Sequence, residues 1–420
     1  MPTPVRRRAG LACALAAIAL LAPVAALARP LNQVIPSLFG GTLNTTINQT
    51  ASDFSQQQPN IIARFRDLPA QLSAARSQVP FPSASGAFSY AWDTEVDSFV
   101  RFEQSLGSGF AERAQTLGRG HFNVGASYQY VEFDSLEGDS LDNIVSQQPA
   151  FTQAYLASLP KGDQAIFGDD VVRTQLALQF RYDLIYLAAG YGLTDNIDVS
   201  LALAINRASM KGHAMAMTLD PDGDGGGAVG QFTENQPGVI VDGTGPICAR
   251  GLRCASDSFD ESAAGTGDVY LRVKWHVVDT WLADIALAEV LTLPTGNADD
   301  FLGFNDPTFT PWFIASKTFG RFSPHLNLGY SLRSAEDVSQ AQWIVGADAR
   351  ATNWLTLGAD FLGYHDDNRD GVNDDVIQSA VGFKLNPWGG LVLTASFQFP
   401  LNSDGIRADV IYTGQVEYNF

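Results

Sequence analysis

The sequence predicts an all-β fold: a transmembrane antiparallel β-barrel of about 12–14 strands, with an N-terminal plug or arm segment. Three observations carry this. The chain closes on a strand whose residues Tyr412, Gly414, Val416, Tyr418 and Phe420 alternate with Thr413, Gln415, Glu417 and Asn419, the period of two that a strand needs between hydrocarbon and a wet lumen. From about residue 120 the same alternation recurs, with tight turns and long loops taking turns as connectors. Lastly, although 45% of the residues are hydrophobic and 11% aromatic, no stretch behind the N-terminus reaches the ~18 apolar residues of a spanning helix, so a membrane protein of this composition spans as a barrel.

The first 28 residues read as a cleavable signal peptide: Arg6-Arg7-Arg8, an apolar run from Leu11 to Leu21, and Ala26-Leu27-Ala28 as a small-x-small cleavage site. A lipoprotein would place its cysteine just after the apolar run, whereas Cys13 sits near its start and leaves with the signal. Removing three arginines and no acid takes the formal charge from −19 to −22 (−19 less 3). A phosphate backbone would be repelled by it, so nucleic acid is not an expected partner. Residues 29–85, rich in Gln, Asn, Ser and Pro, are expected to plug the lumen or to form a periplasmic arm, and residues 86–420 to form the barrel.

Within the barrel the strands follow in order. Phe122, Val124, Ala126, Tyr128 and Tyr130 oppose Asn123, Ser127 and Gln129. After a polar loop over 134–170, Leu176, Leu178, Phe180 and Tyr182 read as outward and Gln175, Gln179 and Arg181 as inward, with the parity slipping near Leu184 as at a bulge. A tight turn at Gly192 to Asn196 leads to Ile197, Val199, Leu201, Leu203 and Ile205 outward. Residues 207–266, rich in Gly, Asp and Pro, are expected to form the longest extracellular loop. Then Val269 to Trp275 and Ile285 to Leu291 alternate about a turn at Val278-Asp279-Thr280, with Glu289 a blemish on the apolar face. Pro307 to Thr318 is the poorest strand, since neither parity is clearly apolar. Five more segments repeat the pattern through Leu326, Trp343, Leu355, Ile377 and Leu391, and Trp354, Tyr364, Trp388 and Phe399 fall near strand ends, where interfacial aromatic girdles belong. A hairpin over 86–104 would add two strands.

The blocks FAERAQTLGRGHFNVGASYQYVEF, GDVYLRVKWHVVD, LTLPTGNADDFLGFNDP, IASKTFGRFSPHLNLGY and the C-terminal NPWGGLVLTASFQFPLNSDGIRADVIYTGQVEYNF resemble a group of Gram-negative proteins, the meta-pathway phenol-degradation outer-membrane proteins, often labelled transporters. The likeness runs from about Gly86 to Phe420 and is absent from 29–85 and 207–266. It implies an outer-membrane barrel, distantly similar to long-chain fatty-acid channels, that admits a small hydrophobic or aromatic solute by passive or facilitated diffusion. Its surroundings would be outer-membrane lipid and lipopolysaccharide, with the barrel assembly machinery inserting it. No binding residue carries over from the family.

The inward positions carry both signs: Asp198, Asp268, Arg272, Lys274, Asp348, Arg350, Asp360, Lys384 and Glu417, with His325 facing the lumen near Asp348 and Asp360 if neighbouring strands register. No single-sign ring emerges, which argues against strong ion selectivity. Inward aromatics for an apolar cargo are few, Tyr270 and Phe133 among them. No enzyme cofactor is expected, and the isolated histidines with no G-x-S-x-G motif make a barrel enzyme the third reading, after a channel and a surface-binding or adhesion barrel. Asp366, Asn368, Asp370 and Asp374 follow the opening of an EF-hand-like loop, as do Asp220, Asp222 and Asp224, but Ile377 and Gln231 replace the terminal Glu. Either loop is a weak calcium (Ca2+) site or a solvated acidic loop. Cys248 and Cys254, six apart, are expected to form a disulfide in the oxidising periplasm, zinc being the weaker alternative.

Overall fold

The computed structural model describes residues 29–37, 45–47, 90–93, 98–101, 111–149, 153–167, 171–219, 230–232, 254–333, 339–367 and 375–420. Twelve antiparallel strands close on themselves. They are β1 (Phe122–Phe133), β2 (Val171–Gly192), β3 (Ile197–Leu219), β4 (Cys254–Asp279), β5 (Asp284–Leu293), β6 (Thr308–Ser316), β7 (Phe322–Ser331), β8 (Gln340–Arg350), β9 (Leu355–Asp366), β10 (Asp375–Trp388), β11 (Leu391–Pro400) and β12 (Ile411–Asn419). Each pairs with its chain neighbour, and β12 pairs with β1 from Tyr412 opposite Tyr130 to Asn419 opposite Asn123. Closure pairs the strand edges at membrane depth, where hydrocarbon offers no partner.

Short turns join the strands at one rim and long connections at the other, which identifies the periplasmic and extracellular sides respectively. The outer face is apolar: Leu201, Val273, Leu287, Val345, Leu357, Phe361, Val381 and Val416 are all exposed there. Trp281, Phe319, Trp354, Trp388 and Phe420 are exposed in or beside the short turns and the C-terminus. Large amphipathic rings at that level form the interfacial girdle of a membrane barrel. Glu289 keeps its outward place opposite Val273 and Pro311.

Three expectations are corrected. The hairpin over 86–104 does not enter the wall: Tyr90–Asp93 and Ser98–Arg101 pair only with each other, so the barrel has twelve strands. Residues 207–219 and 254–266, expected in the long loop, are strand, pairing from Ile205 opposite Thr266 up to Met217 opposite Cys254. The connection shrinks to 220–253. Nor does β2 bulge at Leu184, because its register with β1 and β3 is unbroken. Leu176, Leu178, Phe180 and Tyr182 point inward with Leu184 and Tyr186, all buried, while Gln179 and Arg181 are exposed.

The reason is length. β2, β3 and β4 run 22, 23 and 26 residues, against the roughly 9–11 that cross a bilayer. Their upper halves project as a tongue beyond the membrane, where the outer face meets water and the inner face meets protein, so hydrophobicity swaps faces along one straight strand. The short strand Ile144–Pro149 adds to the tongue's edge beside Val171–Leu176.

Within the mouth lies a hydrophobic core. The helix α1 (Leu31–Ser37) contributes Leu31, Val34 and Ile35, which pack with Phe180, Tyr182 and Met210 of the strands and with Phe301 and Leu302 of the connection between β5 and β6. Leu31 N donates to Asp300 Oδ1 at 3.1 Å, and Asn32 Nδ2 to Asp299 Oδ1 at 2.9 Å. Phe301 takes φ 60°, a left-handed conformation rare for a side chain of that bulk. Tyr182 donates its hydroxyl to the Phe301 carbonyl, and burial of the ring against Phe180 holds the turn.

Placing a charge on the outer face should expose the membrane contact directly. Leu201→Arg is expected to destabilise the refolded barrel by about 2–4 kcal/mol if Leu201 sits near mid-bilayer, read from urea unfolding in lipid vesicles; an unchanged midpoint would mean this face does not meet lipid.

Candidate functional site: a strap, a chamber and a helix-lined mouth

Residues 111–117 run as an extended strap against the inner wall of the periplasmic half. Because the strap pairs with no strand, its backbone groups must find side-chain partners. They do: Leu117 N donates to both Asp198 oxygens (2.9 and 3.1 Å), Ala114 N to Ser316 Oγ (3.0 Å), and Lys274 Nζ donates to the Gln115 carbonyl (2.6 Å). Asn327 clamps Glu112 twice, accepting from its N–H at 3.0 Å and donating to its carbonyl at 3.1 Å. Side-chain pairs add to this: Arg113 with Asp348 at 2.5 Å, Arg272 with Glu112, and Gln115 Nε2 with Asp284 Oδ2 at 2.9 Å.

This arrangement explains the mixed-sign inward list. Asp198, Arg272, Lys274 and Asp348 dock the strap. Asp268, fully buried, instead accepts from Gly296 N (3.0 Å) and Phe304 N (2.9 Å) and so ties the β5–β6 connection into the mouth. Lys384 and Glu417 face each other at 4.0 Å on β10 and β12. Arg350 lies half-exposed at the periplasmic end of β8, its N–H donating to the Arg321 carbonyl (2.8 Å).

His325 does meet both carboxylates. Its Nε2 is 2.6 Å from Asp360 Oδ1 and its Nδ1 3.7 Å from Asp348 Oδ1. The register shows how: His325 lies opposite Gly346 and Gly346 opposite Asp360, so the imidazole reaches across β8 over a residue without a side chain. A Cβ at Gly346 would stand 2.2 Å from Asp360 Oδ1. The neighbouring hydroxyl of Ser323 pairs with Thr318 at 3.1 Å. The cluster therefore reads as a latch behind Asp348 and Arg113.

Between strap and mouth lies a cavity of about 190 Å³. Its walls follow from register: Tyr270, Thr292 and Thr308 stand side by side on β4, β5 and β6; two residues toward the periplasm come Arg272, Val290 and Thr310; then Ala288 beside Trp312. Tyr186, Phe304, Ile344, Leu362 and Tyr364 complete it. Tyr186 and Tyr270 meet edge to face at 5.9 Å, and Thr310 and Ser331 share a 2.9 Å hydroxyl contact.

Of these aromatics Tyr270 was read as inward from the sequence, and the others were hidden. Tyr186 fell beyond the supposed bulge, Trp312 in the strand with no apolar parity, and Phe304 in a loop. Tyr364 was assigned to a girdle, but it is buried and lines the cavity. The signal that could have found Trp312 is the alternation of Thr308, Thr310, Trp312 and Ile314 against Phe309, Pro311 and Phe313: both faces are apolar where a lipid face backs an apolar chamber.

The acidic loops add nothing here. Asp220, Asp222, Asp224, Asn368, Asp370, Asp374 and Cys248 lie outside the described residues, and the side chain of Cys254 does too. Asp366 accepts from Gln340 Nε2 at 2.6 Å. Among the described residues no cluster of three or more metal-ligating side chains occurs.

No family model matches the chain, and no curated protein does. Solved structures do resemble it. An outer-membrane channel from Pseudomonas putida aligns over 73% of this chain and 98% of its own at 13% identity and a TM-score of 0.41. The likeness is to outer-membrane channels. A toluene transporter from Ralstonia pickettii aligns over 72% of this chain and 90% of its own (9% identity, TM-score 0.33), and a FadL homologue from Pseudomonas aeruginosa over 71% and 89% (11%, 0.32).

Removing the strap's anchor should be costly. Arg113→Ala strands Asp348 in a buried site, and a loss of about 3–5 kcal/mol is expected, together with faster amide exchange over Glu112 to Leu117; native-like exchange there would refute the docking role.

Proposed function

We propose that this protein is an outer-membrane channel that takes up small apolar, especially aromatic, solutes by facilitated diffusion, and that the chamber is its solute site. One observation carries the reading: an aromatic-walled cavity of about 190 Å³ lies inside a membrane barrel, between a docked strap and a helix-lined mouth. An apolar cavity of roughly 150 Å³ is enough to hold benzene, so about 190 Å³ suits one substituted ring. Ring faces and edges at Tyr270 and Trp312 offer the offset and edge-on contacts that aromatics prefer. Ion conduction of one sign is not what the lumen favours, because Asp198, Asp268, Arg272, Lys274 and Asp348 dock the strap and the mouth while Lys384 faces Glu417.

Two blocks in series imply that passage requires movement of one or both. The N-terminal segment serves as the plug, with α1 its seated part, and the signal sequence delivers the chain to the periplasm for insertion. The tongue of β2 to β4 supports a second reading, a surface-binding barrel, since it presents strand far beyond the bilayer. His325 and Asp360 serve as a structural latch and not as an acid–base pair.

Uptake by porin-deficient cells separates the readings. Cells making the protein are expected to accumulate labelled monocyclic aromatics faster than sugars of similar size. Ala202→Trp, which fills the chamber beside Tyr270, is expected to slow aromatic uptake at least about tenfold, the effect of ~1.4 kcal/mol, while the unboiled protein still migrates as a folded barrel. Unchanged uptake in that variant would remove the chamber from the path, and no uptake by the unmodified protein would favour surface binding.

A further inference from the structure

The chamber is not uniformly apolar. Beside its aromatic and aliphatic walls, the charged side chains lining it among the described residues are two arginines and one carboxylate: Arg272, Arg333 and Glu112. Glu112 belongs to the strap and pairs with Arg272 at the floor. The lining thus carries one cation more than anions, inside a chain whose formal charge is −19.

Arg333 stands at the opposite end. Leu332 bridges Phe309, so the residue after it comes level with Thr308 on the mouth side of the chamber. Thr310 lies two residues below, roughly 7 Å at 3.4 Å each. The Arg333 guanidinium lies over the Phe304 ring, 4.9 Å from its centroid, and its Nη2 donates to Gln340 Oε1 at 3.0 Å. Gln340 is itself held, its Nε2 donating to Asp366 Oδ1 at 2.6 Å. A guanidinium stacked by its face keeps its donors in the ring-parallel plane, five N–H groups in all. One already fixed in place loses less freedom when a ligand arrives.

Two neighbouring features suit an anion there. Thr310 and Ser331 share a 2.9 Å hydroxyl contact while Ser331 accepts from Gln342 Nε2 at 3.0 Å, and all three residues line the chamber. That contact uses one of two hydroxyl protons and leaves the other to donate. Behind the wall, the buried Arg407 donates its Nη2 to the Ile377 carbonyl at 2.6 Å, between the lining residues Val376 and Gln378. Its Nε and Nη1 have no hydrogen-bond partner among the described residues. A second positive charge therefore faces the same end of the chamber through an interior of low dielectric.

We propose that the preferred solute of the chamber is an aromatic carboxylate, its carboxylate meeting Arg333 and the hydroxyl pair at the mouth end and its ring lying below, between Tyr270 and Trp312. The inference rests on the chamber being the solute site and adds an anionic group to the ring. A carboxylate leaving water needs a hydrogen-bonding cation, of which a plain hydrocarbon makes no use. One guanidinium, not a ring of them, binds such a solute without trapping it.

Benzoate and benzamide share a shape and differ in charge, so they make the test. In porin-deficient cells at neutral pH, uptake of labelled benzoate through the protein is expected to half-saturate at a concentration at least about tenfold below that of benzamide, because a hydrogen bond to a charged group outweighs a factor of ten. Arg333→Gln is expected to erase the difference, and Arg333→Lys to restore part of it. Equal half-saturation in the unmodified protein, or a difference that survives Arg333→Gln in a barrel of native unboiled mobility, would overturn the proposal and leave the chamber to neutral rings. Saturable uptake of neither compound would remove the solute site itself and this inference with it. Should Arg333→Gln fail to fold, competition in the unmodified protein decides. Unlabelled benzoate should slow entry of labelled benzamide at lower concentration than unlabelled benzamide does, and equal or weaker competition would overturn the proposal.

Discussion

Hydrocarbon offers a backbone no hydrogen-bond partner, and the sheet answers by closing: β12, from Tyr412 to Asn419, pairs along β1 from Tyr130 to Asn123. Each unsatisfied amide in lipid would cost several kcal/mol, so this seam is a condition for the other eleven. Phe420 continues past it, its N–H donating to the Phe122 carbonyl at 2.8 Å and its ring 5.9 Å from that of Phe122. The chain's last residue thus fastens the end of the first strand at the periplasmic rim. Once the cylinder exists, one face of every strand is committed to lipid and the other to an interior that something must fill.

What fills it is chain, in two layers with different chemistry on either side of a chamber. The periplasmic half holds the strap, an unpaired extended segment whose amides and carbonyls are met by Asp198, Lys274, Ser316 and Asn327. The mouth holds an oily core of α1 and the β5–β6 connection, with Asp268 as the polar tether. The chamber between them belongs to neither: among the described residues none occupies it. Polar side chains that would otherwise line a wide hydrated pore are instead used to hold peptide, which divides the interior of the twelve-stranded cylinder.

Much of the barrel was legible from alternation alone, because the lipid face imposes a single rule on every strand at membrane depth. Leu201, Val273 and Leu357 follow that rule and their faces were read correctly. Legibility failed where a second environment replaced lipid. On β2 the inner face became the oily one above the membrane, so a straight strand looked bulged at Leu184; the tops of β3 and β4 lost their lipid contact and looked like loop. On β6 both faces were apolar for different reasons, so Trp312 gave no parity.

By itself the sequence determined that strands alternate, roughly how many there are and which rim carries the short turns, because alternation depends only on a residue's neighbours two positions away and turns show as breaks in it. Only the tertiary structure decided what the inward residues do. Arg113 meets Asp348 across 235 positions of chain, and His325 reaches Asp360 only because Gly346 intervenes on a third strand. The docked strap, the helix-lined mouth and the chamber between them are built from segments that return into the cylinder, and no periodicity along the chain records which wall a returning segment will meet.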